Sequence, residues 1–162
     1  MFLKPKFGAV ALLLLGSLLA SQAAGRAATS PFAAMAGSWS GGGTMTTSGG
    51  QERLRCRAAY QVVGGGDSLR LNLRCASESY NFNLSGEFEH RGGAISGSWS
   101  ETTYNASGTV SGRASGDEVQ AAARGDTFSA NLSLRTRGNR QAVTIQSQGA
   151  AVTGISVTLN KQ

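Results

Sequence analysis

The run Arg53-Leu54-Arg55-Cys56-Arg57-Ala58-Ala59-Tyr60-Gln61-Val62-Val63-Gly64-Gly65-Gly66-Asp67-Ser68-Leu69-Arg70-Leu71-Asn72-Leu73-Arg74-Cys75 decides the fold. In its first half Leu54, Cys56, Ala58, Tyr60 and Val62 alternate with Arg53, Arg55, Arg57 and Gln61. In its second half Leu69, Leu71, Leu73 and Cys75 alternate with Arg70, Asn72 and Arg74. Successive side chains of a strand point to opposite faces, so each half is a strand with one apolar and one polar face. The glycines between them tolerate the positive φ that a tight hairpin turn needs. Folding about the midpoint of Gly65-Gly66 sets Val62 opposite Leu69, Tyr60 opposite Leu71, Ala58 opposite Leu73 and Cys56 opposite Cys75. A slip of one residue would turn the whole apolar set outward, so this register is strongly specified. It predicts a cross-strand disulfide between the chain's two cysteines, Cys56 and Cys75, stabilising by roughly 3 kcal/mol on the chain-entropy view. A redox or metal-binding pair is disfavoured, because the spacing is not Cys-x-x-Cys and no histidine lies close in sequence.

Working outward, the same rhythm fills the chain. Turn words fall at Ser48-Gly49-Gly50, Gly64-Gly65-Gly66-Asp67, Ser77, Gly92-Gly93, Tyr104-Asn105, Gly116-Asp117, Gly125-Asp126, Gly138-Asn139 and Gly149. Nine breaks imply about ten strands. Weaker alternation marks Tyr80-Phe82-Leu84, Ile95-Gly97-Trp99, Phe128-Ala130-Leu132-Leu134, Val143-Ile145 and Ile155-Val157-Leu159. Gly41-Gly42-Gly43 reads as a bend. No sustained helical period follows residue 37. Before it, Ser30-Pro31-Phe32-Ala33-Ala34-Met35 reads as one helical turn, with Ser30 as N-cap and Pro31 as the first helical residue. With no long helix to cover it, an apolar sheet face is buried only if the sheet closes on itself or folds into a sandwich. Short sequential connections favour a meander, and an even strand count lets the first and last strands pair antiparallel. The expectation is an all-β fold: a single antiparallel up-and-down barrel of about ten strands over 37–162, with a short N-terminal helical turn and the Cys56–Cys75 disulfide.

The start of the chain reads as an address. Lys4 and Lys6 precede the apolar run from Gly8 to Ala20, which suits a signal-peptide core and is short for a transmembrane helix. Ser21-Gln22-Ala23 offers a cleavage site, with Gly25-Arg26-Ala27 as a second choice. Residues 1–23 are therefore expected to be a cleaved signal peptide, 24–36 an N-terminal segment carrying the helical turn, and the destination periplasmic or secreted; an uncleaved anchor is the alternative. Cleavage there removes Lys4 and Lys6 and leaves 13 basic residues (12 arginines and Lys161) against nine acidic ones. Apolar content of 40% with only 15% charge excludes a disordered chain, and the 162 residues fit one domain. A membrane-spanning barrel is disfavoured, since the aromatics share the aliphatic face instead of forming two girdles.

The segment Phe32-Ala33-Ala34-Met35-Ala36-Gly37-Ser38-Trp39-Ser40-Gly41-Gly42-Gly43 resembles the opening of calycin-type barrels, in which a helical turn leads into Gly-x-Trp on the first strand. Its Trp-x-Gly-x-Gly continuation looks most like ten-stranded barrels related to nitrobindin and the fatty-acid-binding proteins, and the whole looks like small exported proteins of alphaproteobacteria. About a dozen residues carry the match. The resemblance implies a hydrophobic pocket inside the barrel, with Trp39 plugging one end. Nitrobindin-like barrels hold haem through a late histidine, but Gly108 to Gln162 contains none, so haem is not carried over and no cofactor is expected. Avidin-like barrels share Gly-x-Trp without further support for biotin. Gly-Ser-Trp-Ser occurs at Gly37–Ser40 and again at Gly97–Ser100, a repetition that Gly/Ser-rich composition explains as readily as duplication.

Catalytic equipment is sparse. One histidine supports neither a His-rich metal site nor a zinc motif, and there is no nucleophile elbow, Walker loop or dinucleotide fingerprint. His90 reads as a solvated turn residue. Glu52 and Glu101 share the phase of Leu54 and Trp99 but read as solvated strand-end carboxylates. The expected function is non-catalytic binding of a small apolar or amphipathic ligand inside the barrel. Trp39, Tyr60, Tyr80, Phe82, Trp99 and Phe128 are the candidate lining, and Ala58, Ala121, Ala123 and Ala130 widen the space. The alternative is an envelope structural or interaction module. Its working part would be a cationic outward stripe, Arg53, Arg55, Arg57, Arg70 and Arg74, facing an anionic envelope polymer or a protein partner. Neither metal nor nucleic acid is expected, since basic and aromatic residues do not interleave on one face.

Overall fold

Residues 29–162 are described by the structure, a computed structural model; the signal-peptide expectation for 1–23 lies outside them. A single helical turn, α1 (Phe32–Met35), leads into ten strands. These are β1 (Gly37–Thr47), β2 (Gly50–Val63), β3 (Ser68–Ala76), β4 (Asn81–Arg91) and β5 (Ala94–Glu101). They continue as β6 (Ala106–Ser115), β7 (Glu118–Gly125), β8 (Ser129–Arg137), β9 (Arg140–Gln148) and β10 (Val152–Lys161). Each pairs antiparallel with its sequence neighbours, and β1 pairs with β10, closing the barrel. Every turn word read from the sequence falls at a strand junction. Of these, Gly64–Gly66 forms a 3₁₀ turn in which all three glycines have positive φ, between 64° and 106°.

The β2–β3 register is the one dictated by the apolar alternation: Val62 faces Leu69, Tyr60 faces Leu71, Ala58 faces Leu73 and Cys56 faces Cys75. The two cysteines form the expected disulfide, with Cα atoms 4.1 Å apart. Around the wall the odd–even alternation puts most aliphatic and aromatic side chains inside and most polar and charged ones outside. Among the described residues Val63 and Tyr104 are the exposed large hydrophobics, so the outer wall has no apolar band.

Four local readings are corrected. The helix spans Phe32–Met35 with Pro31 at its N-cap, one residue later than expected. Ser30 still serves the helix start by accepting the Phe32 N–H at 3.2 Å, while its own hydroxyl donates to the Gly66 carbonyl. Gly41-Gly42-Gly43 is not a bend: β1 runs straight through it. Its inward glycines let β10 approach, because a Cβ at Gly41 or Gly43 would collide with the Thr158 or Ser156 carbonyl oxygen. His90 is not a solvated turn residue but is 3% exposed, edge-on to Phe32 at 6.2 Å. It lies in the inward phase of β4, and α1 covers that end. Glu101 is likewise buried, not solvated, because its carboxylate is claimed by backbone N–H groups of the adjoining turn.

Candidate functional site

The barrel has a capped end and a far end. At the capped end α1 packs on β2 and β8, driving Phe32 and Met35 into the opening, where both are buried. Beneath them Trp39 donates its indole N–H to the Met35 carbonyl at 2.7 Å, and the Lys161 ammonium lies 5.5 Å from the indole centroid. Across the lumen the Tyr60 hydroxyl donates to Gln141 Oε1 at 2.7 Å, and Gln141 Nε2 donates to Thr136 Oγ1 at 3.0 Å. Burial pushes the Tyr60 phenol well above its ordinary value, against a smaller opposing effect of the Gln141 hydrogen bond, so the phenol keeps its proton. These bonds let three polar side chains sit buried in the cap without an unmet partner.

Between the ends the lumen holds a cavity of about 280 Å³. Its wall is built by inward side chains of β2 to β10 together with Phe32 and Met35, and it contains no Asp, Glu, His, Lys or Arg side chain. Of the six candidate residues, Tyr60, Trp99 and Phe128 lie on this wall; Trp39, Tyr80 and Phe82 do not. Ala121, Ala123 and Ala130 give the cavity its breadth on the β7–β8 side, whereas Ala58 lies outside its lining.

Trp99 and Phe128 face each other across the wall with ring centroids 5.4 Å apart. Their seats are glycines. Gly108 on β6 pairs with both Trp99 and Gly125. A Cβ at Gly108 would lie 3.0 Å from Trp99 Cζ2, and one at Gly125 would lie 2.8 Å from Phe128 Cε1. Trp99 is 7% exposed, and its Nε1 is the one fully buried side-chain polar atom without a hydrogen-bond partner among the described residues.

An aromatic cluster sits at the far end, Phe82 on β4 and Tyr80 and Tyr104 on turns. Tyr80 and Phe82 stack with centroids 6.0 Å apart, and Tyr104 tilts against both. Two inward-phase carboxylates hold these turns. Glu52 accepts from the Ser77 hydroxyl at 2.7 Å and the Ser79 N–H at 3.0 Å. Glu101 accepts the N–H groups of Asn83, Thr103 and Tyr104 at 2.7, 3.1 and 2.7 Å. Hydrogen bonds from Ser77 and then Ser79 lower the Glu52 pKa below its ordinary value. For Glu101 burial acts upward, and the backbone donors outweigh it, so its pKa is also lowered. The sequence reading missed Gln141, Thr136 and Tyr104. Gln141 shares the phase of Val143 and Ile145, which is the signal that could have placed it inside.

On the outer face Arg53, Arg55, Arg57, Arg70 and Arg74 are all exposed. Arg57 sits directly opposite Arg74, and Arg70 pairs with Glu87 at 3.2 Å. Among the described residues, Arg53, Arg55, Arg57 and Arg74 have no carboxylate within 4.0 Å. Arg57 and Arg74 line a shallow outer groove with Ser40, Asn72, Asn83 and Ser85.

No family model matches the chain, and no curated protein matches it. A solved structure, the crystal structure of Rv2717c from M. tuberculosis, superposes with a TM-score of 0.65 over 80% of this chain and 93% of that one, at 13% identity. The two share the fold, which in this chain is a closed ten-stranded antiparallel barrel. At that identity the likeness carries the fold and no more. The histidine through which nitrobindin-like barrels hold haem has no counterpart on this lining, since His90 is packed against Phe32 of α1 and outside it.

Proposed function

We propose that the protein is an exported, non-catalytic carrier or sensor barrel that holds a small, largely apolar molecule in its lumen. The observation that carries this reading is the cavity itself, about 280 Å³ with an uncharged wall. Protein interiors are close-packed with few voids larger than a water molecule. An apolar cavity of about 150 Å³ already stays dry and takes up benzene, so one about twice that size has room for a larger guest. The capped end is sealed by side chains with satisfied hydrogen bonds, whereas the far end carries an aromatic cluster of which Tyr104 is 51% exposed. That difference makes the far end the route of access. The disulfide suits an oxidising compartment, in keeping with export.

Native mass spectrometry of protein purified without detergent, before and after addition of naphthalene, tests the reading. The expected result is retained or acquired small-molecule mass in the wild type, lost in Ala123→Leu, which fills the lumen beside Val110 and Ala130. A wild type that carries nothing and takes up no naphthalene at saturation overturns it.

A second reading rests on a separate observation, the unpaired guanidiniums of Arg55, Arg57 and Arg74 along the polar outer groove. Like charges directly across a strand pair are destabilising, and an anionic envelope polymer bound there would relieve that repulsion. Arg57→Glu with Arg74→Glu should abolish retention on an acidic polysaccharide column at low salt; unchanged retention removes the stripe from consideration.

A further inference from the structure

We infer that the lumen is a site for neutral guests with no hydrogen-bonding group at all, small hydrocarbons or their halogenated relatives, selected by size and shape alone. This rests on the ligand-binding reading above and narrows it to a chemical class.

The lining contains no Ser, Thr, Asn, Gln, Asp, Glu, His, Lys or Arg side chain. Sulfur aside, two side-chain groups on it can hydrogen-bond, the Tyr60 hydroxyl and the Trp99 indole N–H. Neither is offered to a guest. The Tyr60 hydroxyl is engaged with Gln141 in the cap. Trp99 Nε1 is fully buried, with no surface even toward the cavity, so the indole meets the lumen with carbon. The backbone is equally silent. All ten strands pair in one closed ring, so no strand edge turns a free N–H or C=O toward the space. The surface presented to a guest is therefore almost wholly apolar.

A polar group taken into such a space gives up its hydrogen bonds to water and regains none, and for a charged group the loss is far larger. An anionic amphiphile does not escape by leaving its head at the far end. The charged residues on the far-end turns, Glu78 and Asp126, and those in inward phase beside them, Glu52 and Glu101, are all acidic. A carboxylate there meets like charge. Size sets the remaining limit. Benzene occupies an apolar cavity of about 150 Å³, so a space of about 280 Å³ suits roughly a dozen non-hydrogen atoms by the same scaling.

The test uses three probes of one shape: 2-isopropenylnaphthalene, its ketone isostere 2-acetylnaphthalene, and 2-naphthoate. Equilibrium dialysis against protein purified without detergent, read by liquid chromatography, gives each affinity. The alkene should bind about tenfold to a hundredfold more tightly than the ketone, the span expected for burying one unpaired polar group. The 2-naphthoate should not bind detectably. Ala123→Leu, which fills part of the lumen, should weaken alkene binding about tenfold or more. Should that variant fail to fold, nuclear Overhauser contacts from the alkene to the methyl groups of Val110 and Leu132 in the wild type locate the guest instead. A ketone or a naphthoate that binds as tightly as the alkene overturns this inference and leaves the lumenal reading standing. Failure of both alkene and ketone to bind overturns both readings. So does alkene binding that Ala123→Leu leaves unchanged, or that shows no contact with those methyl groups.

Discussion

Gly-Ser-Trp-Ser at 37–40 and at 97–100 delivers two indoles to opposite ends of one lumen, because β1 and β5 run the same way but the word opens β1 and lies late in β5. Environment, not local sequence, then gives the first a partner and leaves the second free. The same contrast makes the capped end testable. Removing the hydroxyl in Tyr60→Phe leaves Gln141 Oε1 without its donor at a site that is 0% exposed, and a buried unsatisfied acceptor costs about 1–3 kcal/mol. Urea unfolding should report a loss in that range with the slope unchanged. The double variant Tyr60→Phe with Gln141→Leu should be less destabilised than the two single losses added, because the Tyr60 donor and the Gln141 acceptor are then removed together, while Thr136 Oγ1 loses its donor equally in Gln141→Leu alone. At this scale the sequence was legible in phase and not in setting. Gln141, His90 and Glu101 all fall on inward positions, yet polar residues near strand ends read as solvated until something is known to cover them. What covers them is α1 at one end and turn N–H groups at the other. Those are tertiary facts that alternation does not encode.

The far-end turns are elements held by charge. Glu101 accepts three backbone N–H groups and Glu52 a hydroxyl and an N–H, and each pKa lies below the ordinary carboxyl value of 4.5. A carboxyl whose folded pKa is depressed binds fewer protons folded than unfolded across the interval between the two values. Its contribution to stability is therefore full above the unfolded value and declines as pH falls through the folded one. Thermal unfolding should accordingly show stability falling as pH drops below about 4.5. Glu101→Gln should flatten that decline and also lower stability at neutral pH, by about 1–2 kcal/mol, since charge-assisted bonds are replaced by weaker ones. A Glu101→Gln variant that keeps the full acid decline would show that other carboxylates set it. The aromatic seats make a second element-scale prediction. Gly125→Ala drives a methyl against the Phe128 ring, and overpacking of this kind costs roughly 1–3 kcal/mol. The expected signature is a lower unfolding midpoint together with altered Trp99 fluorescence, since Phe128 rests on that indole. Glycine at these positions was legible as composition and invisible as function: only the wall shows that Gly108 and Gly125 make room for the neighbouring Trp99 and Phe128 rings.

At the scale of the molecule, one hairpin carried nearly the whole architecture. Its register, its disulfide and the spacing of the later turns follow from a single constraint, that an apolar sheet face with no helix to cover it must close on itself. The closure shows in the β1–β10 ladder, from Trp39 opposite Lys161 to Thr47 opposite Val152. What the sequence withheld is how much empty space the closed wall leaves, since that depends on how far Trp99 and Phe128 lean over their glycines. The disulfide joins these two matters, because Cys56 and Cys75 lie on the cavity wall as well as bridging β2 and β3. Replacing both cysteines with alanine frees a loop with a sequence separation of 19 residues, and the chain-entropy relation gives a loss of about 3 kcal/mol. For a domain of this size that corresponds to a fall of roughly 10 °C in Tm. The ladders on both sides of the bridge persist without it, so far-UV circular dichroism below the transition should not change. The two alanines also enlarge the lumen by the volume of two sulfur atoms, so a guest larger than the wild-type cavity admits should gain affinity in the alanine pair. If the Tm falls with no change in the size of guest accepted, the bridge serves stability alone.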